Sequence, residues 1–224
     1  MPKKVLIITY YWPPAGGIAV VRWVKFVKYI RENGWEPVVF TVSNGNYPLI
    51  DASLEKDVPE GIQIIKRPIW EPHQLYRFLA KNKKSSGLAD IKPKDSASFV
   101  EKLSNWVRSN FFIPDARAFW IKPSVKFLKD YLKMNPVDAI VSTGPPHSAH
   151  LIALALKKQI GLPWLADFRD PWTTMDYYKE LLLTNWADKK HHRLELEVLK
   201  TADSVTVIGN GMKVEFEEKS GRSI

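Results

Sequence analysis

Three segments of the sequence place glycine or polar residues directly after an apolar run, which is how α/β proteins build ligand sites. The first segment, residues 10–17, ends in Gly16 and Gly17 just before a predicted helix. Paired glycines let the backbone approach a ligand and direct amide groups at an anion, and they also suit a tight turn with positive φ. Gly16 and Gly17 are therefore candidates for contact with a phosphate group.

The second segment, residues 142–148, ends in Pro146, His147 and Ser148. Proline favours the first turn of a helix, which places His147 and Ser148 at the N-terminus of the helix that follows. A helix N-terminus lowers the pKa of a histidine and presents N–H donors to an anion. His147 and Ser148 are thus candidates for substrate contact, whereas His150 is expected to pack.

The third segment, residues 166–172, contains Asp167, Arg169, Asp170 and Trp172. Two carboxylates that flank an arginine can form a structural ion-pair network, or they can bind sugar hydroxyls or a charged group. The position directly after a predicted strand favours a functional site. A tryptophan beside a proline often lines a cleft as well as a core, so Trp172 joins the candidates.

Several familiar kinds of site are excluded by the sequence. It contains no G-x-G-x-x-G motif and no acidic residue directly after the second predicted strand, which argues against a dinucleotide dehydrogenase. It also lacks G-x-x-x-x-G-K-[ST], the motif of P-loop NTPases, and any D-x-D pair that could hold a divalent ion beside a sugar diphosphate. The chain has no cysteine, which excludes disulfides, zinc knuckles and thiolate nucleophiles.

Apolar runs and amphipathic segments alternate along the chain and predict strands and helices in turn. The expected strands are residues 5–9, 37–42, 62–66, 138–142, 163–168 and 204–208, and the expected helices lie between Gly17 and Gly34 and at residues 73–82, 99–110, 119–134, 148–159, 185–200 and 211–219. This alternation predicts an α/β protein with a Rossmann-like, doubly wound, mostly parallel sheet and helices on both faces. The carboxyl ends of the strands should bring the candidate residues to one edge of that sheet: Gly16, Gly17, His147, Asp167, Arg169 and Asp170.

The domain prediction is a single Rossmann-like domain over residues 1–224. Residues 43–117 form the least regular part and are interpreted as a variable insertion, in which the polar stretch 81–98 is expected to be a mobile loop. No apolar stretch is long enough to span a bilayer, and the first residues lack the cleavage site of a signal peptide. We therefore expect a cytoplasmic protein.

The charge of the chain favours anionic partners. Its 33 Lys and Arg residues exceed its 24 Asp and Glu residues, which gives a net charge of +9. Such a field suits a phosphorylated substrate, a nucleic acid or an anionic membrane. Because Arg22 and its neighbours up to Arg31 form a basic helix, we expect peripheral contact with the inner face of the cytoplasmic membrane through that helix.

The motifs together resemble the N-terminal domain of a GT-B glycosyltransferase of the family 4 type. The resemblance rests on residues 10–17 with the spacing to Arg22, on residues 143–148, on residues 167–172 and on the run 202–212. It implies a retaining, metal-independent transferase without a cofactor, which moves a sugar from a nucleotide-sugar donor to an envelope or lipid-linked glycan acceptor. Gly16 and Gly17 would then approach the donor diphosphate, and the substrate contacts would fall to Arg22, Ser148 and Trp172.

The sequence departs from the family pattern in two ways. Many members carry a histidine in the loop after the fifth strand, where this chain has Phe168, Arg169 and Asp170, so the candidates for the catalytic contact are His147, Asp167, Arg169 and Asp170. A complete enzyme of this kind also needs a second domain of about 150 or more residues that binds the nucleotide sugar. We expect that donor-binding domain to be absent from this chain, which alone should not turn over substrate.

Two other functions compete with this interpretation. One is a non-catalytic module that binds a polyanion or nucleic acid, which would need basic residues grouped on one face with aromatic stacking positions. The Lys and Arg residues are spread over every predicted helix, so no nucleic acid is expected as a partner. The other is a Rossmann-like domain similar to the epimerases that act on nucleotide sugars.

Overall fold

A computed structural model describes residues 2–71 and 99–224 of the chain. Its strands are β1 (Lys3–Ile8), β2 (Trp35–Val42), β3 (Gln63–Arg67), β4 (Ala139–Gly144), β5 (Trp164–Phe168) and β6 (Ser204–Val207). Its α-helices are α1 (Ile18–Glu32), α2 (Phe99–Phe111), α3 (Ala118–Met134), α4 (Ser148–Ile160), α5 (Asn185–Thr201) and α6 (Asn210–Ser220). Two short 3₁₀ helices, Ala52–Asp57 and Asp176–Glu180, complete the described elements.

The six strands form one sheet in the order β3-β2-β1-β4-β5-β6, and every neighbouring pair is parallel. The chain first builds outward from β1 to β3 and then returns to the other side of β1 with β4. The strand order therefore reverses between β1 and β4, where sheets of this type hold their ligands. The predicted Rossmann-like, doubly wound fold is confirmed.

Alternate residues of each strand enter two separate cores, one on each face of the sheet. In β1, Leu6 and Ile8 face the core that α3, α4 and α5 cover, whereas Val5 and Ile7 face the core that α1 covers. These residues are apolar on both faces because helices cover the sheet on both sides. We call these the α3–α5 core and the α1 core.

Most predicted elements lie within two residues of their expected bounds. The helices α1 and α3 were visible in the sequence as a 3.6-residue apolar period, and the strands as short apolar runs. The two 3₁₀ helices were not predicted. The helix expected at residues 73–82 and the polar stretch 81–98 lie outside the described residues. No helix in the described part is both long and apolar enough to cross a membrane.

Candidate functional site

The loops that follow β1, β4 and β5 meet at the carboxyl edge of the sheet, because these three strands are neighbours and parallel. The Arg169 N–H donates to the carbonyl oxygen of Gly144 at 3.0 Å, which joins the β4 and β5 loops. Arg22 of α1 contacts Asp167 of β5 at 2.7 Å, which joins the helix after the glycine turn to the same edge. The structure thus brings the predicted segments together, and we call this region the carboxyl-edge site.

Gly17 starts α1 in a backbone conformation that favours glycine. Its φ is +103° and its ψ is 167°, a combination that side chains avoid. A Cβ atom at this position would have no atom within 4 Å, so the space around Gly17 is open. An exposed backbone at a helix N-terminus, in the loop after β1, suits the expected approach of a phosphate group.

Gly16 has a partner within the chain. Its N–H donates to the carbonyl oxygen of Leu49 at 2.9 Å, and a Cβ atom here would come within 2.9 Å of the Leu49 side chain. The neighbouring residues Ala15 and Ile50 form an antiparallel bridge. Glycine at position 16 therefore makes room for residues 49–51, and its amide is used there.

Asp167 is the best-connected carboxylate of the carboxyl-edge site. Its side chain is 1% exposed and accepts four hydrogen bonds, two at each oxygen. The donors are Arg22 Nη2 at 2.7 Å, Trp23 Nε1 at 2.9 Å, Thr143 Oγ1 at 2.8 Å and Thr206 Oγ1 at 2.9 Å. All of its acceptor capacity is thus spent on tying α1, β4 and β6 to β5.

Arg22 is positioned by that carboxylate and stays partly accessible. Its side chain is 28% exposed, and its guanidinium lies over the Phe26 ring with 5.0 Å to the ring centroid. The Nε atom is buried and has no partner among the described residues. Arg22 therefore holds a fixed positive charge at the first turns of α1, close in sequence to the Gly17 turn.

Arg169 provides a second fixed cation. Its Nε donates to Thr143 Oγ1 at 3.2 Å, and its Nη2 donates to the carbonyl oxygen of Pro145. Burial lowers the pKa of the Arg169 guanidinium, and the charges of Asp167 and Asp170 oppose that shift. The nearby charge of Arg22 lowers the pKa further. Two guanidinium groups are therefore held near each other at the carboxyl edge.

Asp170 differs from Asp167 in having its oxygens free. It is half-buried and accepts no hydrogen bond from any residue in the described part of the chain. Its charge raises the pKa of Tyr177 and opposes the lowering of the Arg169 pKa. Among the predicted catalytic candidates, Asp170 is the carboxylate able to accept hydrogen bonds from a substrate hydroxyl.

His147 is buried against Trp172. The two rings stack with 4.6 Å between centroids and 1° between planes, and the Nδ1 atom of His147 has no partner in the described residues. Burial lowers the pKa of His147 well below its usual value, and the charges of His150, His191 and Arg169 add to that effect. The imidazole is therefore neutral at physiological pH.

Trp172 lies between two histidines inside the protein. It is 3% exposed, and its Nε1 donates to Nδ1 of His191 at 3.1 Å. Its backbone N–H donates to Glu195 at 3.2 Å. The predicted substrate contact through Trp172 stays a prediction, because the structure assigns its ring to support of His147.

Ser148 is also engaged internally. Both its backbone N–H and its Oγ donate to the carboxylate of Asp115, at 2.9 and 2.8 Å. The same carboxylate accepts the N–H of Arg117 at 2.8 Å. An internal carboxylate therefore occupies the N-terminus of α4, where the sequence predicts an anionic ligand.

Sequence reasoning missed two residues near the site, Asp115 and Tyr177. Asp115 caps a helix that begins 33 residues later, so no local spacing indicates the pairing. Tyr177 sits in the unpredicted 3₁₀ helix and is 47% exposed. Burial of part of the ring and the charges of Asp170, Asp115 and Tyr11 raise the pKa of Tyr177.

Over residues 2–71 and 99–224, no group of three or more His, Cys, Asp or Glu side chains is arranged to hold a metal ion.

No protein-family model matches the sequence, and no curated protein matches it. A glycosyltransferase from Rickettsia africae is similar in structure, with 15% identity and a TM-score of 0.46 over 98% of this chain and 40% of that protein. The C-terminal domain of a hydrogenase from Pyrococcus furiosus has 17% identity and a TM-score of 0.38 over 73% of this chain and 90% of that domain. A dTDP-glucose 4,6-dehydratase from Bacillus anthracis, solved with NAD, has 14% identity and a TM-score of 0.33 over 99% of this chain and 82% of that enzyme. Likeness at this level concerns the α/β fold, and membership of glycosyltransferase family 4 stays a prediction.

Proposed function

We propose that this chain is the acceptor-side domain of a retaining glycosyltransferase that uses a nucleotide-sugar donor and no metal. The observation that carries the proposal is the four-bonded Asp167, which fixes Arg22 and the start of α1 against the β5 loop. This arrangement holds an open glycine turn, two guanidinium groups and the free carboxylate of Asp170 at one edge of the sheet.

The phosphate-facing part of the proposal concerns Gly17 and Arg22. A leaving nucleoside diphosphate accumulates negative charge as the sugar bond breaks, so fixed N–H donors and guanidinium groups stabilise the transition state. Gly17 offers an open backbone, and Arg22 is held in place by a buried carboxylate before the substrate arrives. Because both groups are preorganised, they need little rearrangement during the reaction.

The sugar-facing part concerns Asp170 and its neighbours. A carboxylate with free oxygens binds sugar hydroxyls through short, charge-assisted hydrogen bonds. Arg169 directly precedes Asp170 in the chain, and the charge of Asp170 raises the pKa of the Tyr177 hydroxyl, which is a further donor and acceptor in this proposal. His147 is neutral and supports the same edge from the N-terminus of α4.

The acceptor in this proposal is an envelope or lipid-linked glycan, and the enzyme works in the cytoplasm at the inner face of the membrane. The base and ribose of the donor would be bound by a second domain, as the resemblance to GT-B enzymes implies. The net charge of +9 supports an acceptor or surface that carries phosphate.

The test is sugar transfer by the enzyme that contains this chain together with its donor-binding domain. We expect Asp170→Asn to lower kcat by about 10²–10³-fold, since a transition-state hydrogen bond to a charged group is lost. Asp176→Asn is the matched control, because Asp176 is an exposed carboxylate six residues later and makes no hydrogen bond with any described residue. Equal activity of the two variants would contradict the role of Asp170.

A further inference from the structure

A row of lysines on α3 is not used by the carboxyl-edge site. Lys122, Lys126, Lys129 and Lys133 follow one another at intervals of four, three and four residues, which places them on one side of the helix. All four side chains are exposed. The opposite side of α3 is buried in the α3–α5 core through large apolar side chains: Trp120, Val125, Leu128 and Leu132. We call the exposed side the lysine face.

The charge of the lysine face is largely uncompensated. Lys122, Lys126 and Lys129 form no ion pair with any residue in the described ranges, and Lys133 pairs with Asp130 at 2.9 Å. Asp130 is the only acidic residue of α3. The hydrogen bond from Lys133 lowers the pKa of Asp130, and the charges of Lys126 and Lys129 act in the same direction.

In contrast to the lysine face, most of the charge of α1, the basic helix expected to contact a membrane, is compensated. Three of its four cations are engaged by acidic side chains within the chain: Arg22 by Asp167 at 2.7 Å, Lys25 by Asp57 at 3.1 Å and Arg31 by Glu36 at 3.2 Å. The positive field that the sequence suggests for α1 is therefore mostly cancelled. α1 and α3 also cover opposite faces of the sheet, so a membrane surface that contacts one of these helices does not contact the other.

Apolar side chains flank the lysine face at both ends of α3. Phe119 in the first turn is 49% exposed, and Met134 at the last position is 82% exposed. The Trp70 ring, 47% exposed, packs edge-on against Phe119 with 4.8 Å between centroids. Exposed Trp, Phe and Met beside lysines are the residues that enter the interface of a lipid bilayer.

The neighbouring edge strand extends the positive surface. Arg67 ends β3 and is exposed, and its guanidinium lies over the Phe127 ring of α3 with 4.7 Å to the centroid. Cations of α3 and of the sheet edge thus share one side of the molecule. Lysine on a long flexible stem places its charge at headgroup level while the stem covers apolar surface.

We propose that the lysine face of α3 binds the surface of an anionic phospholipid bilayer, with Phe119 and Met134 at its two ends entering the interface. The purpose of this contact, access to a lipid-linked acceptor, rests on the proposed function, whereas the contact itself does not. Two features favour a bilayer over a nucleic acid. The helix has exposed apolar side chains at both ends, and its cations are all lysines, which lack the planar fork that suits bidentate phosphate recognition.

The experiment measures co-sedimentation of the full chain with phosphatidylcholine vesicles that contain or lack phosphatidylglycerol. Each lysine near an anionic surface contributes roughly fivefold to partitioning, so the triple variant Lys122→Gln/Lys126→Gln/Lys129→Gln should bind about a hundredfold more weakly at low salt. The control is Lys25→Gln/Lys28→Gln/Lys56→Gln, which removes the same charge on the other face of the sheet. Phe119→Ser/Met134→Ser should weaken binding in high salt, where charge is screened.

Each outcome is decisive. Selective loss in the α3 triple variant supports the proposal, even if the chain never shows transfer activity. Equal loss in both triple variants would mean that only net charge matters, and binding without preference for phosphatidylglycerol would also overturn the proposal. Retention of single-stranded DNA on the lysine face, with no vesicle binding, would identify a nucleic-acid surface instead. Urea unfolding of each variant is the control that tests whether the substitutions leave the fold intact.

Discussion

Mild acid should destabilise this protein, because histidines are buried in their neutral form. His150 has no exposed surface, and burial lowers its pKa to about 3, with the charge of Arg169 acting in the same direction. Burial lowers the pKa of His191 to about 4, although Asp188 opposes the shift. The pKa of His147 is lowered as well. None of these rings can take up a proton in the fold at about pH 5.

The sign of the effect follows from proton binding. In the unfolded chain the pKa of each histidine returns to about 6.5, so the unfolded state binds more protons than the folded state below that pH. Stability is therefore complete above about pH 6.5 and is lost as the pH falls toward the folded-state pKa. The window runs from about 6.5 down to 3–4 for His150 and His191. Asp203 and Glu217, whose pKa values are also lowered, titrate below most of this window.

The magnitude is large for a domain of this size. At about pH 5 each neutral histidine costs about 2 kcal/mol of unfolding free energy, so His150 and His191 together cost about 4 kcal/mol. His147 adds to the loss in the same direction. Since domains are stable by roughly 5–15 kcal/mol, the loss should be plain in a denaturation curve.

The assay is urea unfolding, followed by tryptophan fluorescence, at several pH values between about 5 and 7.5. Replacing His150 with Gln should reduce the slope of unfolding free energy against pH by about 1.4 kcal/mol per pH unit. His192→Gln is the control, because His192 is half-exposed. An unchanged slope in His150→Gln, or an NMR titration of His150 near its ordinary pKa, would refute the reasoning.

Two further predictions concern the site. Gly17→Val should cost about 1–3 kcal/mol of stability because of the positive φ at this position, and it should abolish transfer in the complete enzyme. The control Gly209→Val, at an extended φ of −169°, should change neither stability nor transfer. Thermal unfolding measures the stability of each variant, and product formation measures transfer. Asp167→Asn leaves at least one buried donor without an acceptor and should lower the free energy of unfolding by about 2–3 kcal/mol. The loss is not larger because Arg22 keeps some access to water. The control Asp57→Asn, in an exposed ion pair, should cost less than about 1 kcal/mol. Equal stability of the two Asn variants would show that the Asp167 network carries little energy.

The fold was predictable because its determinants are local. Leu6, Ile7 and Ile8 form a continuous apolar run, which is typical of a strand that is buried on both faces. Val20, Val24 and Val27 repeat at helical spacing. Gly34, with a φ of +82°, follows the end of α1, where the sequence predicts that this helix stops. Each of these features lies within a few residues of the element that it defines.

The hydrogen-bond partners in the site were not predictable from local patterns. Ser148 has the right type and position for anion binding, but Asp115 takes both of its donors from 33 residues away. Trp172 lies beside a proline in a loop, yet His191 and Glu195 of α5 draw it into the interior. Sequence spacing predicts which residues lie at the edge of the sheet. Whether their polar atoms are free to bind a ligand depends on hydrogen bonds from residues that are distant in sequence.

The contrast between Asp167 and Asp170 shows where this distinction comes from. Asp167 lies within β5, so the alternation of the strand directs it to the face that α1 covers, where Trp23 and Arg22 reach it. Phe168 points to the other face and stacks on His150 with 4.3 Å between centroids. Asp170 lies two residues beyond the end of the strand, and no residue in the described ranges donates a hydrogen bond to its oxygens. The covering helix α1 thus binds the carboxylate inside β5, whereas Asp170, just past the strand, is the carboxylate that we propose for the sugar.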